Sequence, residues 1–205
     1  LEIRGAGSML GEIQHGHMEQ VGYDMYCKLL DQVIKETQGI DVQEDIDVQI
    51  DLNISSYIPD KYIEDSSQKI EIYQDIALCK NEEDIANVVD ELIDRYGNIP
   101  NEVENLLEIV RIKELCRRNN ITKLSRKNNS FVFYFDESKF DFGVVDKLIK
   151  VYGYNISFSP GKTPYVTLKS KAVTPDEQFE EIKKFFAFIG TSQNLGDTSK
   201  NAHWK

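Results

Sequence analysis

Arg4 and Gln14 are the two side chains near the amino end whose types and spacing suggest a functional element. Arg4 stands where an extended segment gives way to a loop, so the five N–H donors of its guanidinium could reach acceptors on a neighbouring domain. Residues 1–26 hold five of the chain's twelve glycines, and each glycine costs conformational entropy on folding. This density predicts a loop whose shape matters. A purely structural role, in which Arg4 and Gln14 tie down the loop, is the alternative.

The sequence lacks the usual motifs of nucleotide-binding, metal-binding and catalytic sites. The glycine spacing from residue 5 is not that of a dinucleotide-binding loop, and there is no P-loop. His15 and His17 lack further ligands at zinc spacing, and the three cysteines, Cys27, Cys79 and Cys116, include no C-x-x-C pair. We therefore expect no catalytic residue, no metal and no cofactor here. An enzyme with an unrecognised carboxylate pair is a remaining alternative, although no spacing nominates a base or a nucleophile.

Charge is distributed unevenly along the chain, whose formal net charge is −11. Residues 41–108 carry 19 acidic and 4 basic side chains, a net charge of −15. Such a field repels the phosphate backbone of nucleic acids, so this block predicts a surface for a basic partner. A solvated acidic face that keeps the domain soluble is the alternative.

Within the acidic block, Glu91, Asp94 and Arg95 are spaced i, i+3 and i+4 along a predicted helix. They therefore project together on its outer side, while Leu92 faces inward. Carboxylates in such a row suit arginines of a partner, because the two groups form bidentate, charge-assisted hydrogen bonds.

A basic run follows, with seven lysines or arginines against the single Glu114 in residues 111–127. A nucleic-acid backbone could bind there, which would make the chain a stand-alone DNA-binding module. The other interpretation is a helix whose carboxy terminus is cationic to suit its dipole, followed by an exposed strand.

Hydrophobic periodicity predicts an α+β fold in which helices pack with a small antiparallel sheet, preceded by a glycine-rich arm and a helix. Residues 22–37 form the amphipathic helix, and residues 47–54 alternate as a strand. Three helices follow; Ser66 or Ser67 caps the first, Asn81 caps the second, and Pro100 opens the third. Two hairpins flank a further helix over residues 140–152, and Pro175 opens the last helix.

Three sequence segments carry a family resemblance. Residues 1–7 read LEIRGAG, residues 48–65 read VQIDLNISSYIPDKYIED, and residues 91–100 read ELIDRYGNIP. In this order they resemble transcription-repair coupling factors over roughly residues 1–190. The first half is also similar to RecG, which lacks the second half. The resemblance implies the carboxy-terminal part of a longer protein: the end of a translocase motor at 1–38, a linker at 39–46, a regulatory domain at 47–190 and a flexible tail at 191–205.

The resemblance also implies functions. Arg4 and Gln14 would couple ATP hydrolysis to movement along duplex DNA in a parent protein that binds ATP and Mg²⁺, displaces stalled RNA polymerase and recruits nucleotide-excision repair. Glu91, Asp94 and Arg95 would dock on a UvrB-like module of the same protein and mask the surface that recruits UvrA. We expect a cytoplasmic protein with no membrane association, since no apolar run approaches the roughly 18 residues of a membrane span.

Overall fold

A computed structural model describes residues 48–193, with side chains up to residue 189. The described residues form two compact units. The first comprises residues 54–111, and the second comprises residues 48–53 together with 112–193. The predicted arm and linker, and the tail beyond residue 193, lie outside the described residues.

The first unit is helical. It contains α1 (Ser66–Leu78), α2 (Glu82–Tyr96) and the first part of α3 (Asn101–Arg118). The prediction of a serine cap for α1 was wrong, because the side chain of Asp65 accepts the hydrogen bond from the N–H of Gln68 at 2.9 Å. Aspartate competes well for this position, since its carboxylate also suits the positive end of the helix dipole.

The core of this unit consists of aliphatic side chains from all three helices and the segment before them. In α1 the buried apolar positions are Ile72, Tyr73 and Ile76, whereas Ile70 is partly buried and Ala77 is exposed. The hydroxyl of Tyr73 accepts a hydrogen bond from the N–H of Ile58 at 2.8 Å, which ties the preceding segment to α1. The buried residues of the helices include Ile72, Tyr73, Ile76, Ile85, Val88, Leu92, Val103, Leu106, Leu107 and Val110.

The second unit is built on a five-stranded sheet in the order β1-β2-β3-β5-β4. Its strands are β1 (Gln49–Asp51), β2 (Ile121–Lys127), β3 (Ser130–Phe135), β4 (Ile156–Ser159) and β5 (Tyr165–Lys169). Both predicted hairpins are present, and the α+β fold class is confirmed. One pairing differs from the purely antiparallel expectation: β1 lies parallel to β2, because the chain returns to the sheet only after α1, α2 and α3.

One face of this sheet is covered by α5 (Pro175–Gln193). The ring of Phe185 stacks on that of Phe133 in β3, with centroids 3.9 Å apart, and Phe186 meets the same ring edge-on at 6.0 Å. Helix α4 (Gly143–Tyr152) begins three residues later than predicted, and its Tyr152 ring lies 6.5 Å from Phe185. The aromatic side chains therefore fix α4 and α5 to the sheet.

Candidate interaction surface on helix α2

Local sequence fixes both ends of α2. The side chain of Asn81 accepts a hydrogen bond from the N–H of Asp84 at 2.9 Å, as predicted, and three carboxylates occupy the first turn. At the other end Gly97 adopts a φ of +82°, a backbone angle that residues with a Cβ rarely adopt. The N–H of Gly97 donates a hydrogen bond to the carbonyl of Ile93 at 3.0 Å, which closes the last turn. Both ends of α2 are therefore fixed by caps. Its Leu92 side chain is fully buried in the core of the first unit.

The structure brings two of the three predicted interface residues together. Nη1 of Arg95 forms an ion pair with Oε1 of Glu91 one turn earlier, and Nη2 lies 3.7 Å from Oε2 of Glu71 on α1. The guanidinium also lies 5.0 Å from the ring centroid of Tyr96. Asp94 is exposed and makes no ion pair with any residue in the described part of the chain. Of the three, Asp94 is therefore the group most free to bind a partner.

Negative charge accumulates around Arg95. Partial burial raises the pKa of Asp75, and the nearby carboxylates of Glu91 and Glu71 raise it further, while Arg95 opposes them. The hydrogen bond that Arg95 donates to Glu91 in turn raises the pKa of Arg95. The three carboxylates of Glu71, Asp75 and Glu91 thus lie near one guanidinium. The net negative charge that remains at this surface favours a cationic partner.

Ile93 is a further residue of this surface that the sequence analysis missed. Its side chain is 51% exposed on the outer side of α2, beside the exposed Asp90 and Asp94 in the i, i+3 and i+4 arrangement. The signal was present, since Ile93 lies out of phase with the buried stripe of Ile85, Val88 and Leu92. An exposed apolar side chain near carboxylates is the pattern of an interface centre with a polar rim.

Arg4 and Gln14, for which a coupling role is predicted, lie outside the described residues, and so do His15 and His17. Their predicted roles remain predictions. Within residues 48–193 no group of three or more histidine, cysteine, aspartate or glutamate side chains is arranged to hold a metal ion.

The four arginines of the basic run from 111 to 127 have partners within the chain. Arg111 binds Glu82 and Glu108 at 2.9 and 2.8 Å, and Arg117 and Arg118 both pair with Glu114. In β2 the Arg126 guanidinium lies 4.8 Å from the ring centroid of Phe131 and donates to the carbonyl of Ala172 at 2.5 Å. All four arginines are therefore engaged within the chain. Lys123 and Lys127 belong to a different surface, described below.

Within residues 48–193, neither the groove described next nor the two cysteines present an activated catalytic group. An open groove of about 1090 Å³ between the β2–β3 turn and α5 is lined by both acidic and basic side chains. Its Ser170 hydroxyl donates to Glu181 at 2.6 Å and accepts from the N–H of Ala172, which anchors β5 to α5. Burial raises the pKa of Cys79 to about 11 and that of Cys116 still further, so neither thiol is an activated nucleophile.

No helix within residues 48–193 is long and apolar enough to span a membrane.

Comparison with known proteins identifies the family. The family model of the TRCF domain matches residues 52–142. The transcription-repair-coupling factor of Bacillus subtilis is 30% identical over 205 residues, which are 98% of this chain and 17% of the relative. That of Staphylococcus haemolyticus is 44% identical over 115 residues, 55% of this chain and 10% of the relative. The chain thus spans less than a fifth of the length of these relatives.

A solved structure gives the fold. The crystal structure of the C-terminal domain of a transcription-repair coupling factor superposes with a TM-score of 0.64 at 23% identity, covering 78% of this chain and all of that domain. On these matches the chain belongs to the transcription-repair-coupling factor family, and it has the fold of that family's C-terminal domain.

Proposed function

We propose that this domain is the regulatory part of an ATP-dependent DNA translocase that removes stalled RNA polymerase and recruits nucleotide-excision repair. In this proposal the outer surface of α2 docks on a UvrB-like module of the same protein and hides the surface that binds UvrA. The supporting observation is the outer side of α2, where Asp90, Ile93 and Asp94 are exposed on a helix whose ends are fixed.

Charge supports a basic docking partner. Residues 54–111 carry 14 aspartates and glutamates against 5 lysines and arginines. Complementary charge would steer the two modules together, and the apolar Ile93 would supply contact area at the centre. Because Glu91 and Arg95 already pair with each other, they would hold the surface in shape, and Asp94 would make the direct contact.

The experiment uses the longer parent protein with Asp94→Lys. This change places a like charge opposite the basic partner, which costs on the order of several kcal/mol and shifts the masked state toward the open one by at least tenfold. UvrA binding, measured by surface plasmon resonance at low and physiological salt, should become correspondingly tighter.

Glu64→Lys is the matched control, since Glu64 is an exposed carboxylate of the same unit and the charge change is identical. The control should leave UvrA binding at the wild-type level. If Asp94→Lys and wild type bind UvrA equally at both salt concentrations, α2 is only a solvated face.

A second part of the proposal concerns the motor. We assign Arg4 and Gln14 to coupling between ATP hydrolysis and DNA translocation in the parent protein, and the ATP and Mg²⁺ sites to its upstream lobes. Arg4→Ala in that protein should leave ATP and duplex-DNA affinity near wild type and abolish displacement of stalled polymerase. Both quantities are measured on one preparation, and normal displacement would remove Arg4 from the coupling role.

A further inference from the structure

The second unit presents one sheet face that differs from the face packed against α5. Strand register places three cross-strand rows on it. The first row is Gln49, Lys123, Tyr134, Tyr165 and Ser159; the second is Asp51, Ser125, Val132, Thr167 and Ser157; the third is Lys127, Ser130 and Lys169. Of the residues in these rows, only Ser125 and Val132 are buried, and the others are partly or fully exposed.

Two tyrosines stand side by side in the first row of this face, on the neighbouring strands β3 and β5. The rings of Tyr134 and Tyr165 have centroids 5.4 Å apart and are tilted by 42°. Nζ of Lys127 lies 3.1 Å from the hydroxyl of Tyr134 and 5.8 Å from its ring centroid. Beside them is a shallow cavity of about 280 Å³ that is lined by Gln49, Thr122, Lys123, Tyr134 and Thr163.

The charge of this face is positive. Lys123, Lys127 and Lys169 stand against the single Asp51. The described part of the second unit has 14 lysines and arginines against 10 aspartates and glutamates, the opposite sign to the first unit. Lys123 and Lys127 are also two of the three lysines of the basic run, the third being Lys113 on α3.

We propose that this open face, formed by Tyr134, Tyr165, Lys123, Lys127 and Lys169, binds single-stranded nucleic acid. Unpaired bases stack on the two tyrosines, and the three lysines bind phosphates along the strand. Aromatic rings combined with cations on an open surface bind single strands without strong sequence preference, because every base has a π-face. Gln49, Ser159 and Thr167 supply hydrogen-bonding groups next to the rings.

The geometry favours a single strand over a duplex or an acidic peptide. A sheet face offers no projecting helix or ribbon to enter the major groove, and duplex bases cannot stack on a tyrosine while they are paired. An acidic peptide would use the lysines and leave the tyrosine pair without a role. This inference is independent of the docking role of α2.

The test measures binding of the 205-residue chain to a fluorescent single-stranded oligonucleotide of roughly twelve nucleotides by anisotropy. At about 50 mM salt the wild type should bind, and three phosphate contacts predict a slope of log K against log salt near −2. Replacing Lys123, Lys127 and Lys169 together with glutamine should remove most of that slope. Tyr134→Ala with Tyr165→Ala should weaken binding at least fivefold and leave the slope unchanged.

Matched controls exist in the same unit. Tyr154→Ala removes a tyrosine that is 99% exposed away from the sheet, and K139Q, K147Q and K150Q together remove three exposed lysines outside it. Both should bind as wild type does. A competition with poly-glutamate and with a duplex of the same length identifies the partner class, and each should compete at least tenfold less well than the single strand.

Several results would overturn the proposal: no binding by wild type at low salt, an equal loss in the control lysine variant, no effect of the tyrosine pair, or equal competition by poly-glutamate or duplex. Circular dichroism verifies that each variant folds. Should the tyrosine variant unfold, amide chemical shifts of wild type decide instead. The oligonucleotide should then shift the amides of β3 and β5 and leave those of α1 and α2 unchanged, and any other pattern counts against this face.

Discussion

Nη2 of Arg95 on α2 lies 3.7 Å from Oε2 of Glu71 on α1. This ion pair joins the two helices at the surface that we propose as an interface. Because the same guanidinium pairs with Glu91 on its own helix, one cation connects two carboxylates. Asp94, one residue before Arg95, makes no such connection to the described residues. Structural and binding roles are therefore divided among neighbouring residues of α2.

This division predicts different stabilities for two charge reversals. Glu91→Lys removes the ion pair and places two cations one helical turn apart, which destabilises a helix. The thermal unfolding midpoint of this variant should fall below that of wild type, whereas Asp94→Lys should unfold as wild type does. The comparison is made by circular dichroism in low salt. Equal midpoints for both variants would mean that the ion pair of Glu91 and Arg95 contributes nothing to the fold.

The raised pKa of Asp75 gives a prediction about pH. In the folded protein the pKa of Asp75 lies above its ordinary value, so the folded state binds the proton more tightly than the unfolded state does. This binding stabilises the fold fully at pH values below the ordinary pKa. The stabilisation is lost as the pH rises through the folded-state pKa. At neutral pH the charged Asp75 is thus unfavourable among Glu71 and Glu91. Asp75→Asn should raise the free energy of unfolding at neutral pH, and this gain should disappear in acid.

Urea unfolding at several pH values measures this effect. Asp90→Asn serves as the control, because Asp90 is exposed on α2 and its substitution removes the same charge. An equal gain in both variants would assign the effect to the net charge of the unit and not to the surroundings of Asp75.

Element types were largely predictable from the sequence because the signals were local. Alternation predicted β1, and the Asn81 cap predicted the start of α2; the glycine at position 97 is the ordinary local signal for the end of a helix. The turn at Asn128 was also predictable, because asparagine tolerates the observed φ of +52°. In contrast, the parallel pairing of β1 with β2 depends on contacts between residues more than 70 positions apart, such as Gln49 with Lys123. No local pattern encodes such a pairing.

The candidate surface was predictable only in part. Helical spacing placed Glu91, Asp94 and Arg95 on one side of α2, but it could not show that Arg95 is shared with Glu71 on α1. The partners of the arginines in the basic run were unpredictable for a similar reason. Arg111 and Arg126 find their partners at Glu82 and Ala172, 29 and 46 residues away along the chain. Side-chain partners at such separations follow from tertiary packing.

Tyr73 should make a measurable contribution to the first unit through its hydroxyl. Tyr73→Phe leaves the N–H of Ile58 without the acceptor that it has at 2.8 Å in a buried position, which costs about 1–3 kcal/mol. Tyr96→Phe is the control, since the Tyr96 hydroxyl bonds Gln68 at the surface, where water can replace it. Urea unfolding of both variants tests the difference. Equal stabilities would show that the hydroxyl of Tyr73 is not needed by the fold.

Phe185 should be the residue on which the packing of α5 depends most. Its ring is fully buried, stacks on Phe133 at 3.9 Å and contacts Phe186 and Tyr152. Phe185→Ala removes these contacts and leaves a cavity, which should cost about 3–5 kcal/mol of unfolding free energy. Phe142→Ala is the matched control, because that ring is 66% exposed, and its loss should change the free energy of unfolding little. Chemical denaturation followed by near-ultraviolet circular dichroism measures both. A Phe185→Ala protein as stable as the control variant would show that α5 is held to the sheet by something other than this aromatic stack.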